Sequence, residues 1–139
     1  MSERPRVSVV VPAFQSEAHI GRTLASLRRQ RHTGFEAIVV NDGSTDGTAE
    51  AVRRAAQVDP RIRLLEQPNG GTAAARNLGI AAARGDVVAF LDDDDLWHPE
   101  KLALQLARLD ATPGAAVISC HSALLDPDGR LLGWRLGGA

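Results

Sequence analysis

Phe90-Leu91-Asp92-Asp93-Asp94-Asp95 sets four carboxylates directly behind two apolar residues. Two unit charges about 4 Å apart repel by roughly 1 kcal/mol in water and roughly 4 kcal/mol at a protein-like dielectric. Such crowding calls for a counter-charge. A hard divalent cation with oxygen ligands is the chemistry that suits aspartates. Other stretches carry loop chemistry of a matching kind. Pro12 to Glu17 offers an aromatic ring, Phe14, and a carboxylate, Glu17. Asn41 to Asp46 offers Asp42 and Asp46. Pro68 to Arg76 offers small residues, glycines and a guanidinium. An aromatic face can stack on a base, and a carboxylate can accept hydrogen bonds from base or ribose. Metal and guanidinium can neutralise phosphate. The inventory suits a nucleoside diphosphate.

These residues need a scaffold that brings them to one edge. Val7 to Val11 is a nearly continuous apolar run and reads as a buried strand. Ile20, Leu24 and Leu27 fall at i, i+4 and i+7, an amphipathic helix. Ala37 to Val40 is a second buried strand, and Asp46 is placed to cap the helix through Val52, Ala55 and Ala56. Ile62 to Leu65 is a third strand. After the turn signal Pro68-Asn69-Gly70-Gly71, Thr72 is placed to cap a helix with Ala74, Leu78 and Ala81 on one face. Gly85 suits a left-handed position beyond that helix. Val87 to Leu91 is a fourth strand. Pro99 opens a helix with Leu102, Leu106 and Leu109 as its stripe. Val117 to Cys120 reads as a fifth strand, and Asp126-Pro127-Asp128-Gly129 as a type I turn between two short strands. Strand-helix alternation at this spacing implies right-handed βαβ units. The fold class is therefore α/β, a mainly parallel sheet with helices on both faces. The acidic run then ends a strand, where open α/β sheets bind ligands.

Composition narrows the function classes. The 139 residues are 44% apolar and 24% charged, with a net charge of −1, which is globular and not basic. No basic patch stands out and aromatics are only 4%, so nucleic acid is excluded as the expected partner. Cys120 is the only cysteine, so no internal disulfide can form, which fits a reducing cytoplasmic location. Residues 1–5 read as a polar tail without the apolar core of a signal peptide. No apolar run approaches the ~20 residues of a membrane span. The G-x-G-x-x-G and G-x-x-x-x-G-K-[ST] fingerprints are absent after the first strand, against a dehydrogenase or a P-loop NTPase.

Four blocks carry a resemblance. They are Val7-Ser8-Val9-Val10-Val11-Pro12-Ala13-Phe14, Ile38 to Thr48, Ala75-Arg76-Asn77-Leu78-Gly79-Ile80, and Phe90 to Leu102. In order and spacing they resemble family 2 glycosyltransferases of the GT-A fold, from about Arg6 to Leu136. The resemblance implies a nucleotide-sugar donor, most often a UDP-sugar, and inverting transfer to an acceptor hydroxyl. It implies Pro12, Phe14 and Glu17 along the nucleotide pocket, Asp42 on the base and Arg76 on the diphosphate side. Asp92, Asp93 and Asp94 fall in the D-x-D region. There, Asp94 and Asp92 are implied for Mg2+ or Mn2+, and Asp92 or Asp93 for ribose. The family often has Asp at position 41, where this chain has Asn41. Asp93 leaves the ligand order within the run ambiguous. By the same resemblance, residues 6–139 would be a partial GT-A domain, truncated at the C-terminus. The general base and the acceptor-binding half would lie beyond residue 139. A chain of that kind could bind donor without transfer, and an exposed sheet edge would favour self-association.

Blander readings stay open at this point. The acidic run could be a solvated loop at a helix start. Asp42 to Asp46 could be turn and cap residues, with Ser44, Thr45 and Asp46 the stronger cases. Phe14 could be a core aromatic, Arg76 a surface bridge, and Glu17 a helix-start charge. Trp97 reads as packing, Cys120 as a small buried hydrophobe, and Arg28-Arg29-Gln30-Arg31 as a solvated helix end. Competing functions are a non-catalytic nucleotide-binding or interaction module and a sugar nucleotidyltransferase. The latter wants a Gly-rich basic loop after the first strand, which Pro12-Ala13-Phe14-Gln15-Ser16 is not.

Overall fold

The computed structural model describes residues 4–137. They fall into two compact units, one ending at Lys101 and one beginning at Leu102. The first unit runs β1 (Val7–Ala13), α1 (Ile20–Arg28), β2 (Phe35–Asp42), α2 (Thr48–Val58), β3 (Ile62–Gln67), α3 (Thr72–Ala82) and β4 (Val87–Phe90). Its sheet has the order β3-β2-β1-β4, and every neighbouring pair is parallel. Right-handed crossovers dictate where the helices go. The steps β1→β2→β3 share a direction, so α1 and α2 share a face and pack together. The step from β3 back to β4 reverses direction and sends α3 to the other face, where it packs on β1 and β2. The expected α/β architecture, with helices on both faces, is present.

Every residue of β1 and β2 is buried, because helices cover both sides of these central strands. On the α3 side, Ile38 and Val40 pack with Ala75, flanked by Leu65, Leu78 and Ala82. The buried stripe of α3 is Ala75, Leu78, Gly79 and Ala82, not the expected Ala74, Leu78 and Ala81, and Ala81 is exposed. The rotation has a steric cause. A Cβ at Gly79 would press into the Val10 methyls, so turning glycine inward lets α3 sit close on β1.

Two helix-end expectations are corrected. Gly71, with φ 88°, is the N-cap of α3, and Thr72 is its first residue. Gly85 is not among the glycines with positive φ. A Cβ there would stand 2.7 Å from the Ser8 nitrogen, so glycine is needed because the chain passes against β1, not for a left-handed turn. In α2 the N-cap position is Gly47, yet the Asp46 carboxylate still caps the helix, accepting the Thr48 N–H at 3.0 Å.

The end of the sheet opposite the acidic run is closed by one buried carboxylate. Glu36 accepts from the Ser8 hydroxyl at 2.7 Å, the Arg84 N–H at 2.8 Å and Arg63 Nη1 at 2.8 Å. It also pairs with the Arg84 guanidinium at 2.8 Å. Burial raises the Glu36 carboxyl, but hydrogen bonds from Arg84, Ser8 and Arg63 outweigh it and bring its pKa down to about 2. In the tail, Arg4 donates to the Arg84 carbonyl and bridges Asp86. At the other margin, β4 pairs with β1 alone among the described residues, and its last residue, Phe90, is half exposed.

In the second unit, α4 (Lys101–Asp110, beginning one residue earlier) buries Leu102 and Leu106 and half-buries Leu109. The expected strand over Val117 to Cys120 does not form, and Cys120 is exposed. Among the described residues no strand is paired with this stretch, and β propensity without a partner does not make a strand. β5 (Ser122–Leu125) and β6 (Leu131–Arg135) form an antiparallel hairpin. Its turn is the expected one. Gly129 N–H donates to the Asp126 carbonyl at 2.9 Å, and Gly129 takes φ 83°. No helix among the described residues is long and apolar enough to cross a membrane.

Candidate functional site

The strand order places β1 at a topological switch point, because the chain leaves it toward β2 on one side and returns to β4 on the other. Ligands of open parallel sheets bind outside the carboxyl ends at such a point. A cleft of about 310 Å3 lies there. Pro12 and Phe14 line it from β1 and the residue after it, Asp42 from β2, Arg76 from α3, and Asp92, Asp93 and Asp94 from the segment after β4. A wider hollow of about 570 Å3 is lined by Arg28, Arg29, Asp59 and Arg61, and it holds none of the expected site residues.

Phe14 is 51% exposed, so it is not a core aromatic. Its N–H donates to Asp93 Oδ2 at 3.1 Å, which ties the end of β1 to the acidic segment. The Asp93 carbonyl accepts from the Thr23 hydroxyl at 2.9 Å. Asp92 and Asp94 are exposed on either side of Asp93. Arg76 Nη2 donates to Asp92 Oδ1 at 2.9 Å, and its guanidinium carbon lies 5.7 Å from the Phe90 ring centroid. Arg76 Nε is buried without a partner, a donor still to be satisfied beside the cleft.

Asp42 is buried and its carboxylate is filled. Oδ1 accepts from Gln67 Nε2 at 2.7 Å and Gly70 N–H at 2.8 Å. Oδ2 accepts from Gly71 N–H at 2.8 Å and Asn69 Nδ2 at 3.3 Å. The Gln67 amide, then the Gly70 N–H, hold its pKa below the usual carboxylate value against the effect of burial. The residue thus organises the β3–α3 loop and faces the cleft at the same time. Glu17 lies outside the cleft lining, and its carboxylate accepts the Gly47 N–H at 3.1 Å.

The β1–α1 and β2–α2 loops are zipped together by pairs that sequence reasoning missed. Gln15, with φ 49°, accepts the Thr45 N–H through Oε1 at 2.6 Å. Gln15 N–H donates to the Ser44 hydroxyl, and Ser16 N–H to the Thr48 hydroxyl. Glu17 N–H donates to Asp46. Ser44, Thr45 and Asp46 therefore have the structural roles their residue types suggested. Trp97 is half-buried, with Lys101 Nζ 4.2 Å from its ring centroid.

No three carboxylate, His or Cys side chains among the described residues already form a metal cage. Mg2+ in nucleotide sites is held by one or two carboxylates, with substrate phosphates and water completing the shell. Asp92 and Asp94, exposed beside the cleft, are oxygen donors of the required kind.

Residues 8–131 match the model of Glycosyl transferase family 2. The chain is 36% identical over 130 residues to the putative glycosyltransferase EpsH of Bacillus subtilis, covering 94% of this chain and 38% of the relative. It is 33% identical to the hyaluronan synthase of Pasteurella multocida, covering 92% of this chain and 13% of that protein. Among solved structures it superposes on the mannosyltransferase PcManGT of Pyrobaculum calidifontis in complex with GDP-Man and Mn2+. The TM-score is 0.75 at 33% identity, over 91% of this chain and 37% of the other. Staphylococcus aureus TarS 1–349 in complex with UDP-GlcNAc gives a TM-score of 0.72 at 31% identity, over 82% of this chain and 37% of that one. The chain thus spans well under half the length of these relatives. By the span of that match and the identity to these relatives, the chain belongs to glycosyl transferase family 2.

Proposed function

We propose that the cleft binds a nucleotide-sugar, a UDP-sugar, together with Mg2+ or Mn2+, for inverting transfer of the sugar to an acceptor hydroxyl. The observation that carries this reading is the convergence of Phe14, Asp42, Arg76 and three consecutive carboxylates on one cleft at the switch point. Relatives bound to UDP-GlcNAc or to GDP-Man with Mn2+ support it. Pro12 and Phe14 provide the apolar wall for the base. Asp42 accepts from the base at Oδ2 in place of the long 3.3 Å contact from Asn69, while Gln67, Gly70 and Gly71 keep the carboxylate ordering the β3–α3 loop. Glu17 braces the neighbouring wall through Gly47. Arg76 turns its guanidinium, with the unsatisfied Nε, to the diphosphate, and Asp92 serves the ribose side, while the Asp93 carboxylate, bonded to the Phe14 N–H, holds the segment in place. Asp94 and Asp92 hold the cation. When bound, the metal supplies positive charge at the leaving diphosphate, where charge grows most in the transition state.

Titration calorimetry with UDP, with and without Mn2+, tests the reading. UDP should bind in a Mn2+-dependent manner, and Asp94→Ala should lose at least about tenfold of that affinity, the loss of a charge-assisted ligand. No UDP binding at all would remove the donor site. Full Mn2+ dependence in Asp94→Ala would remove the cation from that residue.

A further inference from the structure

Three of the buried polar residues of the first unit, Thr23, Ser26 and Gln30, are each less than 5% exposed and lie along or just beyond α1, beside the apolar stripe Ile20, Leu24 and Leu27. Packing alone would favour Val or Ala there, since a buried polar group must find a partner. Each finds it in the main chain that carries the acidic run. Thr23 Oγ1 donates to the Asp93 carbonyl at 2.9 Å. Ser26 Oγ accepts the Trp97 N–H at 3.2 Å and donates to the Thr23 carbonyl at 2.7 Å. Gln30 Nε2 donates to the His98 carbonyl at 2.7 Å, and Arg31 N–H to the Pro99 carbonyl at 2.9 Å. The pairs run in the same order along both segments, so residues 93–99 are laid alongside α1.

We propose that α1 is the rail that sets the acidic segment. Thr23, Ser26 and Gln30 are positioning residues, and Asp93 is a pin. This rests on the donor-site reading above and divides the labour within the run. Asp93 is held at both its groups, the carbonyl by Thr23 and the carboxylate by the Phe14 N–H at 3.1 Å. Its neighbours Asp92 and Asp94 are exposed beside the cleft. Residues 92–99 contain no helix or strand of their own, and like charges push them apart. The hydroxyl and amide bonds from α1 hold the main chain against that repulsion. They fix the spacing of Asp92 and Asp94 before any cation arrives, the preorganisation that a metal and diphosphate site requires.

The test compares UDP affinity in Mn2+ and in EDTA, with thermal unfolding as control. Thr23→Val keeps the shape and removes the hydroxyl. Thr23→Ser keeps the hydroxyl. Thr23→Val should lose about tenfold of the Mn2+-dependent gain, while its metal-free UDP affinity stays within about twofold, and Thr23→Ser should restore the gain. Asp93→Asn retains an acceptor for Phe14 and should keep most of the gain, whereas Asp94→Asn should not. A Thr23→Val protein with a lower Tm but the full Mn2+-dependent gain overturns the rail. Equal losses in Asp93→Asn and Asp94→Asn overturn the pin. If the unsubstituted chain shows no Mn2+-dependent UDP binding, the donor-site reading fails and takes this inference with it. Those outcomes are distinguishable, because the first two are read only against a functioning parent.

Discussion

Replacing Glu36 with glutamine keeps the volume and removes the charge from the closed end of the sheet. Glu36 is 2% exposed, and its carboxyl sits at about 2 against an ordinary 4.5. At about 1.4 kcal/mol per pH unit this corresponds to roughly 3 kcal/mol of folding stability at neutral pH. Arg84 is 60% exposed, so solvent screens its share and the working figure is roughly 2–3 kcal/mol. The sign follows from the folded pKa being depressed. The contribution is fully present above about 4.5 and is lost as the pH falls toward about 2. Glutamine also points an amide N–H at groups that are themselves donors, Arg63, Arg84 and Ser8. Urea unfolding at pH 7 should therefore place Glu36→Gln roughly 2–3 kcal/mol below the parent, about 10 °C in Tm for a chain of this size. The gap should narrow between pH 4.5 and pH 2.5, because the parent alone loses the charged contribution. Glu36 is six residues along β2 from Asp42, roughly 20 Å at strand rise, so UDP affinity below the transition should not change. A gap that stays constant from pH 7 to pH 2.5, or no gap at pH 7, would refute the assignment of this stability to the ionised carboxylate.

Gly79→Ala should destabilise the chain by about 1–2 kcal/mol in the same unfolding assay. The overpacking against the Val10 methyls exceeds the helix propensity gained, and an unchanged midpoint would mean α3 can lift off β1 freely. Asp42→Asn should free the β3–α3 loop. Hydrogen exchange at the Gly70 and Gly71 amides should speed by at least about tenfold, and UDP affinity at pH 7 should fall with it, since an amide cannot accept from all four donors. In the parent the same order should be lost only well into acid, because the Asp42 carboxyl titrates below its ordinary range.

The framework of the first unit was legible because its central strands are buried on both faces. Val9, Val10 and Val11, and Ala37 to Val40, read as continuous apolar runs, which amphipathic strands would not give. That the acidic run, Phe14, Asp42 and Arg76 meet at one cleft was legible because each ends or follows a predicted strand or sits early in the helix after one, and a parallel sheet brings those positions to one edge. What stayed hidden depends on which loop meets which. Nothing local tells that Gln15 spans to Thr45, or that Thr23 and Ser26 face the main chain of residues 93–97. The only available signal was polar residues flanking an apolar helical stripe, and solvent exposure explains that pattern equally well. Gly85 was misjudged, and the inward turn of Gly79 was not foreseen, for a related reason. Their smallness answers close approach to β1, a tertiary fact. Val117 to Cys120 has strand composition and no strand partner among the described residues, so composition misled.

The two ends of the sheet solve opposite electrostatic problems with the same residue types. At the closed end, one carboxylate, Glu36, faces two arginines and a hydroxyl, and every lone pair is matched. At the open end the balance is reversed. Asp42, Asp92, Asp93 and Asp94 line a cleft with Arg76 as the one guanidinium among its lining residues. Asp42 is matched by neutral donors, which satisfy its lone pairs and leave its charge in place. Such a cleft repels a bare diphosphate. It attracts a dication, but two side chains hold a hard cation weakly until phosphate oxygens join them. On the proposed reading each ligand lacks what the other brings, and their binding should be coupled with positive sign. On that reading, four carboxylates at the carboxyl ends of two strands, and one arginine on α3, would make nucleotide and metal binding a joint event.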